Sequence, residues 1–255
     1  MGNYFKDSLY IPKRTKKPRE YGITVISDQG LGIRAIKDLV ETAGEHIDFV
    51  KFSIGTAYVT LNVQEKIELY KKNNIEVFFG GTLFEIYAVQ NRVDQYKILL
   101  KKLGLNYVEI SNGLAQISDE DKLKYVNEFK EDFNVISEVG CKDEEIITPP
   151  YKWVQMIKDT LDAGAAYVIA EGRESGNAGL YRQSKEVRMG LIEEIIYHIS
   201  PKKIIFEAPL LEQQVFFINK IGPNVNLGNI IAKDIILLEA QRCGLKYETF
   251  MLTKL

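Results

Sequence analysis

The sequence predicts a single (β/α)₈ barrel that carries its chemistry at the carboxyl ends of the strands. Its 255 residues, 45% of them hydrophobic, suit one barrel built around one large core. From Tyr21 onward, short β-branched runs alternate with longer stretches of helical periodicity, which is typical of parallel βα units. The strand-like runs number about eight, which favours the closed barrel over the doubly wound open sheet with its usual five or six strands, roughly.

Each candidate strand is a short, mostly apolar run that ends near a polar residue, a glycine or a proline. In chain order, the predicted strands cover residues 22–28, 48–53, 75–81, 107–111, 134–140, 167–172, 203–209 and 224–230. Between them, apolar residues recur at helical spacing and predict amphipathic helices. The clearest sets are Ile33, Ile36, Leu39, Val40 and Ala43; Leu123, Val126 and Phe129 after a capping Ser118; Val154, Ile157 and Leu161; and Ile235, Ile236, Leu238 and Ala240 before Gly244.

Composition and charge indicate what this protein binds and where it is found. The formal net charge of −2 argues against binding to nucleic acid or to an anionic membrane surface. The start of the chain has no apolar signal region and no uncharged apolar run is long enough to span a membrane, so we expect a soluble, cytoplasmic protein. We divide the chain into a basic extension, residues 1–20, and a barrel domain, residues 21–255. Barrels of this size commonly self-associate, so we also expect a homo-oligomer.

Polar residues stand near the end of nearly every predicted strand, where a barrel of this type has its active site. With only two cysteines and two histidines in the chain, a zinc site is improbable and a metal would have oxygen ligands. The acidic residues near the ends of strands four to seven predict a Mg²⁺ site, and they are Glu109, Glu138, Glu171 and Glu207. The alternative is that these acids form only structural ion pairs with Lys51, Lys142 and Arg173.

A second group of residues is predicted to bind an anionic substrate. The turn that contains Gly81 and Thr82 could present backbone N–H groups at a helix N-terminus. The loop of residues 172–179 has three glycines and supplies a guanidinium. Tight turns and exposed loops explain both segments equally well. The predicted substrate-binding residues are Gly81, Thr82, Ser111, Arg173, Ser175, Gly176, Asn226 and Asn229.

Several longer blocks of the sequence are distinctive. The chain contains, in this order, KPREYG, IDFVKF, GGTLFE, EISNG, SEVG-x-K, AGA-x-YVI-x-EGRESG, IFEAP, QQ-x-x-FI and IGPNVNL-x-NI. In these blocks the sequence resembles the phosphosulfolactate synthase family, and the resemblance extends from about Lys17 to Phe250.

The resemblance implies a Mg²⁺-dependent barrel enzyme that adds sulfite to phosphoenolpyruvate and forms (2R)-2-phospho-3-sulfolactate, for coenzyme M or sulfolactate biosynthesis. It places Lys142, the lysine of SEVG-x-K, as the general acid that protonates the carbon next to the carboxylate. Lys51 and Arg173 are further catalytic candidates, because positive side chains stabilise the negative charge that develops on the substrate.

The sequence also departs from the family pattern. Gln29 stands where a basic residue is usual after strand one, and Leu211 stands near the position of another after FEAP. The segment that follows strand two, residues 52–57, lacks the usual aromatic residue. Two alternatives therefore remain open. One is a divergent Mg²⁺-dependent lyase that acts on another phosphorylated carboxylate, and the other is a catalytically silent relative with a stress-related role.

Overall fold

The computed structural model describes residues 8–113, 117–140 and 147–253, and in these ranges eight strands alternate with helices. The strands are β1 (Thr24–Asp28), β2 (Phe49–Phe52), β3 (Glu76–Phe79), β4 (Tyr107–Ile110), β5 (Asn134–Val139), β6 (Tyr167–Ala170), β7 (Ile204–Glu207) and β8 (Leu227–Ile231). The α-helices are α1 (Ile33–Ala43), α2 (Thr56–Val59), α3 (Val63–Lys72), α4 (Gly81–Val89), α5 (Val93–Lys102), α6 (Asp119–Phe129), α7 (Pro150–Asp162), α8 (Met189–His198), α9 (Leu211–Ile221) and α10 (Ile235–Arg242). Short 3₁₀ helices cover Gly44–His46, Ser53–Gly55, Pro201–Lys203, Ala232–Asp234 and Tyr247–Thr253. Among the helices in these ranges, none is both long and apolar enough to cross a bilayer.

The eight strands form one parallel sheet that curls into a nearly closed barrel, which confirms the predicted fold. The strand order is β3-β2-β1-β8-β7-β6-β5-β4, so the first and last strands of the chain are neighbours. The seam of the barrel lies between β3 and β4, where side chains bridge the strands. Nδ2 of Asn106 lies 3.3 Å from Oε1 of Glu76, and the N–H of Gly81 donates to Oε1 of Glu109 at 2.7 Å.

The alternation of side chains along each strand separates two apolar cores. In β5, Val135 and Val139 belong to the larger core between the sheet and the helices, whereas Ile136 belongs to the smaller core. The smaller core fills the inside of the barrel, and its buried members are Ile23, Val25, Phe49, Phe78, Ile136, Ile169 and Ile205. The inside of the barrel is therefore packed with side chains rather than open as a pore.

Residues 8–20, the described part of the predicted extension, are bonded to the amino end of the barrel. Nε of Arg14 lies 2.8 Å from Oε1 of Glu239, on α10. A guanidinium nitrogen of Arg19 lies 2.9 Å from Asp48, the residue just before β2, and both side chains are 6% exposed. Asp48 also accepts the N–H of Thr24 at 2.9 Å. These contacts join the segment to the barrel.

We predict that Arg19→Ala lowers the free energy of unfolding by about 2–4 kcal/mol, because it removes the hydrogen-bonded ion pair of the buried Asp48 carboxylate. Urea unfolding followed by circular dichroism measures the change. Lys101→Ala is the control, because its pair with Asp132 is largely exposed and its removal should change stability by at most about 0.5 kcal/mol. Equal effects of the two substitutions would contradict the prediction.

Candidate active site

Five charged side chains form a layer above the apolar interior of the barrel, at the carboxyl ends of the strands. Each stands two residues after an interior side chain, on the same strand or, for Glu171, directly after it, and residues at this spacing share one face of an extended backbone. The pairs are Phe49 and Lys51, Tyr107 and Glu109, Ile136 and Glu138, Ile169 and Glu171, and Ile205 and Glu207. All five charged residues are buried, and none is more than 7% exposed.

Lys51 is the cation at the centre of this layer. Its Nζ lies 3.1 Å from Oε2 of Glu109, 3.4 Å from Oε1 of Glu207 and 3.7 Å from Oε2 of Glu138. Burial by itself lowers the pKa of Lys51, but the surrounding carboxylates outweigh it and hold that pKa well above its ordinary value. Lys51 is therefore a permanent positive charge that joins β2 to three other strands.

Glu138, Glu171 and Glu207 could together hold a metal ion. Each offers one carboxylate oxygen, and the three oxygens lie within 4.8 Å of one another. Two ligands on opposite sides of Mg²⁺ are separated by about 4.2 Å, so small movements would bring these oxygens to bonding distance. Carboxylate oxygens are ligands that Mg²⁺ prefers. The residues present thus fit the ion that the sequence predicted.

Backbone N–H groups orient the same carboxylates. The N–H of Gly172 donates to Oε2 of Glu207 at 3.0 Å, and the N–H of Arg173 donates to Oε1 of Glu171 at 2.5 Å. The loop after β6 therefore fixes two of the three acids that could hold the ion.

Glu109, the fourth predicted ligand, is not one of these three residues. It contacts Lys51 and accepts the N–H of Gly81. Gly81 therefore directs its N–H to Glu109. A Cβ at Gly81 would lie 2.6 Å from Cβ of Ser111, so only glycine fits there without a shift. Ser111 is buried and donates to Glu85, while Thr82 is partly buried in the first turn of α4.

The loop after β6 is held at several points. The N–H of Leu180 donates to the carbonyl of Glu171 at 2.9 Å, so the loop returns to its own start. Arg173 has a left-handed backbone, with φ of 58°. Oγ of Ser175 donates to Asn177, and the carbonyl of Gly176 accepts from a side-chain amide at 2.9 Å.

That amide belongs to Gln213, a residue that the sequence interpretation overlooked. Gln213 lies on α9 and also donates to the carbonyl of Lys185 at 3.3 Å. Arg188 was overlooked as well, and it donates to the carbonyls of Gly179 and Thr148, both at 2.9 Å. Gln213 stands within the QQ-x-x-FI block, so its buried polar side chain on an otherwise apolar helix face was the available signal.

The two predicted asparagines lie at different levels of the barrel wall: Asn226 directly precedes β8, and Asn229 lies in the middle of that strand. Oδ1 of Asn226 accepts the N–H groups of Gly22 at 2.7 Å and Ile23 at 3.0 Å, so Asn226 joins backbones at the amino end of the barrel. The structure does not bring it to the charged layer. Asn229 is buried in the middle of β8 and has φ of 58°. It lies where β8 has an extra residue relative to β1, a bulge of the kind that redirects side chains near active sites.

Asp28 is a buried carboxylate at the end of β1. Asp28 accepts from Nζ of Lys66 and from the Tyr70 hydroxyl, both at 2.9 Å, and it also binds the N–H groups of Gly30 and Leu31. This carboxylate therefore fixes the loop after β1.

Lys122, on α6, donates to the carbonyl of Glu138 at 3.2 Å, and burial lowers the pKa of this lysine. Sequence reasoning missed this contact, because a lysine in a polar helix is usually exposed. Lys142, the predicted general acid, lies outside the described residues.

We predict that Gly81→Ala destabilises the protein by about 1–3 kcal/mol, because the new methyl group collides with Ser111. Gly190→Ala, in α8, is the matched control, because no atom lies within 4 Å of a Cβ at this position. Alanine favours the helix more than glycine does, so this variant should gain up to about 0.5 kcal/mol in its free energy of unfolding. Thermal and urea unfolding of the two variants measure the difference. A Gly81→Ala variant as stable as the parent would show that the turn has more room than the distances indicate.

Comparisons with known proteins were made at the level of sequence and of fold. A family model described as (2R)-phospho-3-sulfolactate synthase (ComA) matches residues 12–248. The chain is 43% identical to the phosphosulfolactate synthase of Bacillus subtilis over 96% of this chain and 98% of that protein. It is 40% identical to the phosphosulfolactate synthase of Methanothermobacter thermautotrophicus, over 93% of this chain and 95% of the relative. Protein HEAT-STRESS-ASSOCIATED 32 of Arabidopsis thaliana is 22% identical, over 84% of this chain and 83% of that protein.

Solved structures show the same fold at low sequence identity. The YdjI aldolase of Escherichia coli superposes with a TM-score of 0.57 at 12% identity, covering 92% of this chain and 86% of that one. The phosphoribosyl anthranilate isomerase of Thermococcus kodakaraensis gives a TM-score of 0.53 at 14% identity, covering 91% and 98%. At such identities the likeness concerns the barrel alone.

Proposed function

The chain belongs to the phosphosulfolactate synthase family of enzymes, and from this premise we propose that it catalyses the Mg²⁺-dependent addition of sulfite to phosphoenolpyruvate, giving (2R)-2-phospho-3-sulfolactate. Its identity to proteins named as synthases, 40–43%, far exceeds its 22% identity to the heat-stress protein, which favours an active synthase over a silent relative. In this proposal the ligands are small anions, the enzyme works in the cytoplasm, and it forms a homo-oligomer.

The proposed reaction balances without an oxidant or a reductant. The sulfur lone pair of sulfite attacks the methylene carbon of the enol phosphate and forms the new C–S bond. The electron pair of the C=C bond moves toward the neighbouring carbon and its carboxylate. A proton then reaches that neighbouring carbon from one face, and hydrogen sulfite supplies the proton overall. Two anions combine at one site, so catalysis requires positive charge where the carboxylate gains electron density.

The observation that carries this proposal is the buried group of Glu138, Glu171 and Glu207, whose carboxylate oxygens lie within 4.8 Å of one another. Gathering several carboxylates in one buried site is costly, and a divalent cation with oxygen ligands is a group that stabilises such an arrangement. Glu138, Glu171 and Glu207 would hold Mg²⁺. When bound, the ion supplies positive charge that stabilises the negative charge developing on the substrate carboxylate.

The residues of the chain have separate roles in this proposal. Lys51 is held in place by its carboxylate partners and presents a fixed positive charge at the mouth of the barrel. The apolar interior beneath, with Ile136, Ile169 and Ile205, closes the site from below and excludes water. Arg173 and Ser175, on the loop after β6, and Asn229, on the bulge of β8, are proposed to contact the anionic groups of the substrate.

We predict that the protein consumes sulfite only when both phosphoenolpyruvate and Mg²⁺ are present. Glu171→Gln should lower this rate at least about 10²-fold, because the amide keeps the acceptor for the Arg173 N–H but removes a negative charge from the metal site. A sulfite assay with and without Mg²⁺ measures the effect.

Glu174→Gln is the matched control, since Glu174 is exposed on the same loop and should retain the parent rate. Sulfite consumption that needs no Mg²⁺ would contradict the metal assignment. Binding of phosphoenolpyruvate without any sulfite consumption would favour a lyase with another substrate, and no binding would favour a silent relative. A thermal-shift measurement detects that binding, because a ligand stabilises the folded state.

We predict that Lys142→Ala lowers turnover about 10²- to 10⁴-fold while the melting temperature stays close to that of the parent, because a general acid contributes this much to a rate. Steady-state kinetics and thermal unfolding measure the two quantities. Lys152→Ala, an exposed lysine on α7, is the control and should leave the rate unchanged. An unaltered rate in Lys142→Ala would remove Lys142 from the mechanism.

A further inference from the structure

Lys51 contacts two of the three carboxylates that could hold a metal ion. Its Nζ lies 3.4 Å from Oε1 of Glu207 and 3.7 Å from Oε2 of Glu138. These residues, with Glu171, are the only group of three or more metal-ligating side chains of this kind within residues 8–113, 117–140 and 147–253. The ammonium of Lys51 therefore contacts two carboxylates that a divalent ion would also use as ligands.

The two cations conflict at this site. Mg²⁺ binds its oxygen ligands at about 2.1 Å and tolerates little distortion. An ammonium that keeps its contacts with the same carboxylates would then lie within a few ångströms of the ion. Like charges at such a distance repel strongly in a buried site, because the effective dielectric constant there is low.

Glu109 gives the ammonium a separate partner. It is the nearest carboxylate to Nζ of Lys51, at 3.1 Å, and it is not among the three residues that could hold the ion. The N–H of Gly81 anchors Glu109 at 2.7 Å. Lys51 can therefore release Glu138 and Glu207 to an ion and keep one anchored carboxylate as its counterion. The layer needs four acids, and not three, for this arrangement.

We propose that Lys51 is an internal competitor for the divalent cation: its ammonium occupies the carboxylates of Glu138 and Glu207 in the metal-free protein and sets how tightly the ion binds. This inference rests on the proposed function, because it takes Glu138, Glu171 and Glu207 as the metal ligands. A lysine in this position stabilises the protein before the ion arrives and weakens the binding of the ion. Loading with the ion therefore turns Lys51 from a partner of three carboxylates into a partner of Glu109.

The test compares Mg²⁺ binding by the parent and by Lys51→Met, using isothermal titration calorimetry with the metal alone. We expect the variant to bind Mg²⁺ at least about tenfold more tightly, because the competing charge is gone. The metal-free variant should melt at a lower temperature than the parent, and Mg²⁺ should raise its melting temperature by more than it raises that of the parent. Neither measurement depends on catalysis.

Lys66→Met is the matched control. Lys66 is also a buried lysine, paired with a strand-end acid, but its partner is Asp28, outside the three-carboxylate group. This variant should lose stability while its Mg²⁺ affinity stays within about twofold of the parent. If Lys51→Met does not fold without metal, Lys51→Gln serves in its place, since glutamine is neutral and can still donate hydrogen bonds.

The outcomes separate the two proposals. Equal or weaker Mg²⁺ binding after loss of the Lys51 charge overturns the competition while leaving the metal site intact. Absence of Mg²⁺ binding in the parent and in every Lys51 variant instead overturns the metal site on which both proposals depend. Binding in the variants but not in the parent supports the competition in its strongest form.

Discussion

An ammonium enclosed by buried carboxylates is the interaction on which the rest of this structure depends. Lys51 lies within 3.7 Å of oxygens from Glu109, Glu138 and Glu207, and each partner is on a different strand. Such a group is stable only when its geometry is correct, because desolvation of each charge costs several kcal/mol, roughly. Closing the barrel is what gives that geometry, since no two of these residues are neighbours in sequence. The fold and the site are therefore determined by the same contacts.

The backbone completes the environment of the acids. The N–H groups of Gly81, Gly172 and Arg173 donate to Glu109, Glu207 and Glu171, respectively. All three come from turns that follow strands, where N–H groups are free of the strand ladder. Glycine at position 81 is required by the close approach of Ser111. The polar loops at this face thus orient the acids first, and only the remaining groups are available to a substrate.

The polar side chains at the amino end of the barrel stabilise the fold. There Arg14, Arg19 and Asn226 bond to backbone and side-chain groups around the amino ends of the strands. These contacts tie the start of the chain to the barrel and satisfy polar groups that would otherwise be buried without partners. In barrels of this class, chemistry gathers at the carboxyl face and stabilising contacts gather at the amino face. The described residues follow that division.

Much of this protein could be predicted from its sequence, because the patterns are local. Short β-branched runs that alternate with stretches of helical periodicity predicted the eight strands, and the position of Glu138, Glu171 and Glu207 near strand ends predicted that these acids share one face. Only the tertiary structure decided that Lys51 lies among the acids and that Glu109 binds Lys51 and Gly81 apart from the metal group. It also decided that Asn226 bonds to backbone at the amino end of the barrel, whereas Asn229 lies at the bulge of β8. The physical reason is that distances between strands depend on barrel closure, register and one bulge in β8, none of which a local pattern encodes.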